Sequence, residues 1–313
     1  MNQFNYKDIF KNNHLAISKA ISLIENNDKE LNNFYKHIYK RSNNALRIGI
    51  TGPPGAGKST IVDQLIECFI SREKSIGVIA VDPSSPFSGG ALLGDRVRMG
   101  KYTDNDSVYI RSMGNRGDLG GLSKMTQVAG DVLSASGKDI IIYETVGVGQ
   151  AEHDIVNAAD FTVVVLVPES GDEIQLMKAG IIEIADIFII NKSDRPGSKR
   201  IARMLSDTLH NFTKKGAFLP SVMNSTASRG EGISEIFEKI LIDIETLDAN
   251  GVLEKRRLSR YKNRIKDLIS EKLENEFWTT TREDLFKNIT NSIDSIDTPP
   301  NKVLEKLISN FDN

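Results

Sequence analysis

A single cysteine, Cys68, occurs among the 313 residues of this chain. It can form no intrachain disulfide, and a reducing cytoplasm is the compartment that follows. Cys68 lies beside Phe69 in a helical apolar pattern, which makes it a packing residue rather than a reactive thiol. No apolar run approaches the roughly 20 residues that span a bilayer. The start, Met1-Asn-Gln-Phe-Asn-Tyr-Lys-Asp8, has no apolar signal core. Basic and acidic residues nearly cancel, leaving a net charge of −2. Bulk attraction to nucleic acid or to an anionic membrane is thereby excluded. Histidine is scarce too. His14, His37, His153 and His210 are scattered and no C-x-x-C occurs, so a metal store is disfavoured. Internal repeats and low-complexity segments are absent.

The length does allow one large α/β domain with appendages. Its centre is the stretch Arg47-Ile-Gly-Ile-Thr-Gly52-Pro-Pro54-Gly55-Ala56-Gly57-Lys58-Ser59-Thr60. From Gly52 to Ser59 it fits G-x-x-x-x-G-K-[ST] at every position, between an apolar strand-like run and a helical one. A chance glycine-rich turn would not match all eight. Phosphate oxygens must be met by several backbone N–H groups at close range, and a Cβ at Gly55 or Gly57 would block that approach. The helix that follows turns its positive end on the phosphates. Lys58 adds a mobile charge, and the Ser59 hydroxyl is the expected Mg²⁺ ligand.

Around this loop the chain divides into three parts. Residues 1–44 are polar and asparagine-rich, with helical spacing at Leu15, Ile17, Ala20, Ile21 and Ile24 and again at Leu31, Phe34, Tyr35 and Ile38. Two packing helices are expected there. Residues 45–248 alternate between strand-like and helix-like segments. Strands are expected at 47–51, 75–81, 107–110, 139–143, 161–167, 184–190 and 218–223, and helices at 62–71, 122–135, 172–182 and 201–211. Continuous Val/Ile runs belong to strands buried on both faces. The alternation predicts a doubly wound, mostly parallel sheet with its ligand at the carboxyl ends of the strands. Residues 249–313 form a helical arm. Leu258, Tyr261, Ile265, Leu268, Ile269, Leu273 and Phe277 make one apolar stripe, which either folds back or pairs with another subunit. A further helix starts near Thr279, and Pro299-Pro300 precedes a terminal one.

Three further segments carry chemistry. Asn191-Lys192-Ser193-Asp194 follows an apolar strand. N-K-x-D in that place selects guanine, because the carboxylate accepts from the N1–H and the exocyclic amine, a donor pair that adenine lacks. GTP rather than ATP is therefore expected. Ser225-Thr226-Ala227-Ser228, after the last strand, is the place for a backbone N–H to meet the guanine O6. Glu144-Thr-Val-Gly147 stands where many GTPases carry D-x-x-G, with the carboxylate acting on Mg²⁺ and the glycine N–H sensing the γ-phosphate. Asp82 and Asp95 are the other candidates for the magnesium shell, with a turn or helix cap as the alternative for each. Val148 occupies the position of the glutamine that orients attacking water in Ras-like enzymes. Slow intrinsic hydrolysis is expected unless Gln150 or a partner supplies that function. Arg96, Arg98, Arg111 and Arg116 are candidate charge stabilisers. The glycine-rich stretch from Ile110 to Leu122 has the composition of a functional loop.

Taken together these segments resemble the methylmalonyl-CoA mutase-associated GTPases (MeaB-type, related to the human cobalamin-A-disorder protein, with an older transport-ATPase label). The resemblance covers about residues 10 to 245. It rests on the P-loop with Val81-Asp-Pro-Ser-Ser85, Gly94-Asp-Arg-Val-Arg-Met99, Leu119-Gly-Gly-Leu122, Glu144-Thr-Val-Gly-Val-Gly-Gln150, Gly171-Asp-Glu-Ile-Gln175 and Asn191-Lys-Ser-Asp194. Two positions depart from it: Ala151 stands where serine is common, and Glu169 where glycine is. The resemblance implies a G-protein chaperone that gates cofactor loading of an adenosylcobalamin-dependent acyl-CoA mutase and protects that enzyme, switching between GTP and GDP. It implies a homodimer built by the C-terminal arm. Asp82, Asp95 and Glu144 become magnesium and switch residues, and 172–178 a third switch segment. The chain lacks a D-x-H-x-x-G cobalamin signature, so the cofactor is expected on the partner. A metal-delivery GTPase and an ATP-dependent kinase or transport ATPase are the competing readings.

Overall fold

The computed structural model describes residues 6–25, 36–83, 100–102, 104–115, 124–145, 151–170, 181–213 and 217–309. Seven strands are described: β1 (Leu46–Thr51), β2 (Ile76–Pro83), β3 (Val108–Asn115), β4 (Ile140–Thr145), β5 (Phe161–Leu166), β6 (Ile187–Ile190) and β7 (Ser221–Asn224). They form one sheet in the order β3-β2-β4-β1-β5-β6-β7, parallel throughout. β4, β5 and β6 are buried at every residue, as their unbroken Ile/Val runs require when helices cover both faces.

The helices are α1 (Tyr6–Ile9), α2 (His14–Glu25), α3 (Lys58–Ser71), α4 (Lys124–Ala135), α5 (Ala151–Ala158), α6 (Ile181–Ile184), α7 (Ser198–Phe212) and α8 (Ile233–Ala249), followed by α9 (Val252–Phe277), α10 (Thr280–Ile289) and α11 (Pro300–Ile308). On one face, Ile61, Leu65 and Phe69 of α3 and Ile236 and Ile240 of α8 pack on Ile48, Ile50 and Ile142. On the other, α2, α4 and α5 cover Ile79, Ile141 and Tyr143. α7 closes a third apolar cluster over β5 and β6. β1 has β4 on one side and β5 on the other. The connections therefore diverge there and leave a crevice at the carboxyl ends, where α/β sheets bind ligands.

Element boundaries differ from the sequence expectation for physical reasons. β2 and β3 run on to Pro83 and Asn115 because they pair with each other over eight registered positions. The strand expected at 184–190 starts at Ile187. Ahead of it Ile181–Ile184 is helical, and Asp186 turns its carboxylate back to accept from the Thr162 N–H at 2.8 Å. β7 begins only after Pro220, which has no N–H to donate to a ladder. Most of the helix expected at 172–182, and residues 31–35 of the second N-terminal helix, lie outside the described residues.

The chain divides into two compact units, 1–256 and 257–313. In the second, Thr279 caps α10 by accepting from the Arg282 N–H and Pro300 opens α11. Trp278 meets Phe277 and Phe286 edge-on at 5.1 and 5.5 Å. These rings, with Leu304 and Leu307, line an apolar cavity of about 540 Å³. Leu258, Tyr261, Ile265, Leu268, Ile269 and Leu273 along α9 are exposed.

The amino ends of the central strands are tied by buried charge. Arg47 donates to Asp131 Oδ1 at 2.5 Å and to the Ser42 carbonyl at 2.8 Å, with 2% of its side chain exposed. Burial opposes its charge, but Tyr143, Asp131 and Asp160 outweigh that and hold its pKa above the ordinary value. Arg256, at the start of α9, binds both oxygens of buried Asp186 at 2.7 and 2.8 Å and the Asp160 carbonyl at 2.7 Å. Nearby, burial pushes the Lys138 ammonium down to about 8, and its Nζ donates to the Asp106 carbonyl at 2.9 Å.

Two outcomes follow. Arg47→Met leaves Asp131 buried without its cation and lowers unfolding free energy by about 3–5 kcal/mol, whereas Arg47→Met with Asp131→Leu recovers most of it; chemical denaturation measures both. Lys138 has a folded pKa below its ordinary 10.5, so the neutral amine is favoured in the native state. Its contribution to stability is constant below the folded pKa and grows as pH rises toward the ordinary one. Thermal melts across that window show the rise in the native chain and its loss in Lys138→Met.

Candidate nucleotide-binding site

The loop between β1 and α3 occupies the crevice. Gly52 has φ +135°, and a Cβ there would lie 2.0 Å from the Val165 carbonyl oxygen. Gly57 has φ +88°, and its Cβ would meet Asn191 Nδ2 at 2.3 Å. Any side chain at either position would force the loop open. Gly57 is also the N-cap of α3 and brings no side-chain cap. The first N–H groups of that helix therefore have no side-chain oxygen at the cap, as an anion site requires.

Lys58 is buried, and its Nζ donates to the carbonyls of Gly52 at 2.8 Å and Pro53 at 3.0 Å. The ammonium thus folds back over the loop that its own helix begins. Ser59 donates from Oγ to Glu144 Oε1 at 2.5 Å, joining the first turn of α3 to the end of β4. A cavity of about 490 Å³ opens here, lined by Gly55, Lys58, Ser59, Glu144, Thr145 and Lys192 among others. That volume lies in the range of small-ligand clefts. Pro54, Gly57 and Thr60 also line it, while Ala56 is fully buried beneath.

Asn191 and Lys192 follow β6 and reach the same loop. Asn191, 3% exposed, donates from Nδ2 to the Ala56 carbonyl at 2.8 Å. Its Oδ1 accepts from Ser225 Oγ and from the Ala227 N–H, each at 3.1 Å. One amide thus spends both its ends holding the phosphate loop to the 225–227 turn. Lys192 sits at φ +57° and donates from Nζ to the Gly55 carbonyl at 2.7 Å. The Ser193 N–H donates to the Ser225 carbonyl at 2.9 Å. Thr226 is buried and Ser228 exposed. Asp194 is 40% exposed, with Arg229 at 3.8 Å. The sequence places these residues in one region, and the structure joins Gly55, Ala56, Asn191, Lys192, Ser225 and Ala227 by direct bonds.

Some site candidates fall elsewhere. Asp95, Gly147 and Gln150 lie outside the described residues, as do Val148, Arg96, Arg98, Arg116 and 172–178. Asp82 belongs to β2 by its backbone, and its side chain is outside the description. Arg111 donates to Ser22 Oγ on α2 at 3.2 Å, a packing role on the N-terminal helix. Sequence reasoning did not anticipate the Glu169–Arg195 ion pair at 2.5 Å. The Arg195 guanidinium holds the Glu169 carboxyl below the usual carboxylate range. The only visible signal was a glutamate in place of a common glycine, beside the residue that follows Asp194.

Comparison with known proteins agrees with this geometry. The family model described as methylmalonyl Co-A mutase-associated GTPase MeaB matches residues 17–282. A Pyrococcus abyssi protein named as a GTPase is 41% identical over 301 residues, which are 95% of this chain and 93% of that one. The mouse methylmalonic aciduria type A homolog, a mitochondrial protein, is 33% identical over 298 residues, 88% of this chain and 70% of its own. Among solved structures, that of a LAO/AO transport system kinase superposes with a TM-score of 0.72, covering 98% of this chain and 96% of its own at 24% identity; it shares the fold. The family match over residues 17–282, with relatives of this identity and coverage, places the chain in the family of methylmalonyl Co-A mutase-associated GTPases.

Proposed function

We propose that this GTPase is a chaperone for an adenosylcobalamin-dependent acyl-CoA mutase such as methylmalonyl-CoA mutase, gating cofactor loading and protecting the enzyme while GTP becomes GDP. The observation that carries the nucleotide part is the Asn191 bridge from Ala56 to Ser225 and Ala227. It couples the loop that meets phosphate to the segment that meets the base. In this reading Gly52 to Thr60 cradle the phosphates, the Lys58 ammonium leaves the Gly52 and Pro53 carbonyls for them, and Asp194 with the 226–228 turn takes the guanine. The mutase part is supported by the family description and by the mouse relative.

The residues present fit Mg²⁺. The Ser59 hydroxyl and Glu144 carboxylate are hard oxygen donors brought together at one point. Among the described residues no group of three His, Cys, Asp or Glu forms a cage. Magnesium at nucleotide sites takes one or two carboxylates with substrate phosphate and water. Bound there, the ion supplies positive charge to the β- and γ-phosphate oxygens. Asp82, Asp95, Gly147 and Gln150 are proposed as the remaining metal and switch residues from their sequence positions. A homodimer is supported by the exposed apolar stripe on α9, since monomers rarely leave such surface uncovered. Among the described residues no helix is long and apolar enough to cross a membrane, which accords with the proposed cytoplasmic setting.

Lys58→Ala abolishes or severely weakens Mg²⁺–GTP binding in calorimetry, and ATP competes poorly with GTP for the native chain; wild-type affinity in the variant, or equal competition by ATP, would overturn the nucleotide assignment. Turnover is slow for the chain alone and rises when the cognate mutase is added. Fast intrinsic turnover unchanged by the mutase, together with no cobalamin enzyme in co-purification from the native cell, would remove the chaperone reading.

A further inference from the structure

The carboxyl ends of β1 and β4 are held together in an unusual way for strands so rich in Ile. The two strands pair in register from Leu46↔Ile140 to Ile50↔Glu144, and there the ladder stops. On its other edge β1 stays paired with β5 through Thr51, opposite Val164. One residue later the chain turns through Gly52 into the phosphate loop, and Thr145 is the last residue of β4. At that divergence the Thr51 and Thr145 hydroxyls meet at 2.8 Å, in residues 0% and 1% exposed.

Side chains alternate along a strand, so Thr51 and Thr145 share one face of the sheet and Glu144 lies on the other with Ile142. Two contacts therefore reach the end of β4 from opposite faces of the sheet: Thr51 of β1 to Thr145, and Ser59 of α3 to Glu144 at 2.5 Å. Valine fills the volume of threonine, favours a strand as well and needs no partner when buried. Two buried hydroxyls that bond each other fix a separation that apolar contact leaves free.

Resting on the GTPase reading of this site, we propose that the Thr51–Thr145 hydroxyl pair is a positioning device for GTP hydrolysis, setting the distance at which the Glu144 carboxylate meets the Ser59 hydroxyl beside the phosphates. Thr51 does not line the cavity, whereas Thr145 does, so the Thr51 variants isolate the effect of the bond from any direct contact. Their bond acts through the two strand ends, and it is needed for turnover rather than for holding the nucleotide.

The test is steady-state GTPase kinetics on the full chain with Thr51→Val, Thr145→Val, the double variant and Thr51→Ser. Each single valine lowers kcat by about ten- to a hundredfold, the size of effect that misplacement by around an ångström produces, with KM for GTP within about twofold. The double variant regains the thermal stability that a lone buried hydroxyl forfeits, since both partners are then apolar, yet its kcat stays low. Thr51→Ser keeps the hydroxyl and most of kcat. A double variant whose kcat returns with its stability, single variants as fast as the native chain, or a loss confined to KM would each show the pair to be packing. Should the single variants not fold, the double variant and Thr51→Ser decide alone. Native chain that neither binds nor hydrolyses GTP, or a Lys58→Ala variant that binds it fully, would sink the underlying nucleotide reading and is distinguishable from all of these.

Discussion

One buried carboxamide governs the geometry of this site. Asn191 has no charge and little exposure, yet its two ends satisfy the Ala56 carbonyl on one side and Ser225 and Ala227 on the other. Three segments far apart in the chain thus share one polar group. A buried amide bonded at both its ends is held in one orientation, and losing any of those bonds is costly. Lys192 repeats the tie at Gly55 with a charged donor. The loop after β1 is therefore held by the 191–192 segment, and Gly57 must be glycine because the Asn191 side chain occupies the space of its Cβ.

The two ends of the sheet do different work. At the amino ends, Arg47 and Arg256 sit among Asp131, Asp160 and Asp186 in buried ion pairs. Such pairs hold strands and the root of α9 in place and leave no charge for a ligand. At the carboxyl ends the polar groups are borrowed rather than closed. Lys58 and Lys192 rest on backbone carbonyls, and Ser59 on a carboxylate. The two lysines rest on neutral carbonyls, which leave their charge uncompensated by these bonds.

Membership of a mutase-associated GTPase family gives that arrangement its biological sense. A P-loop site whose cavity is completed by Glu144 rather than aspartate has one more methylene between strand and carboxylate, and in this fold that reach brings Oε1 onto the Ser59 hydroxyl. The C-terminal unit is built on other principles, with an aromatic cluster around Trp278 and an uncovered stripe on α9.

Read alone, the residues determined the alternating α/β class, the mostly parallel sheet expected from strands such as Ile-Ile-Ile-Tyr, and the G-x-x-x-x-G-K-[ST] and N-K-x-D motifs after two of those strands, because each depends on local chemistry within a few positions. The helix beginning near Thr279 and the terminal helix after the Pro299-Pro300 break were legible for the same reason. Contacts between distant segments were not. Only the tertiary structure decided that Asn191 fastens Ala56, that Arg111 serves α2, that Glu169 pairs with Arg195, and that β2 and β3 extend to Pro83 and Asn115. A hydrogen bond across more than a hundred residues leaves no periodicity in the sequence. Its existence depends on the sheet order, which leaves only β5 between the ends of β1 and β6.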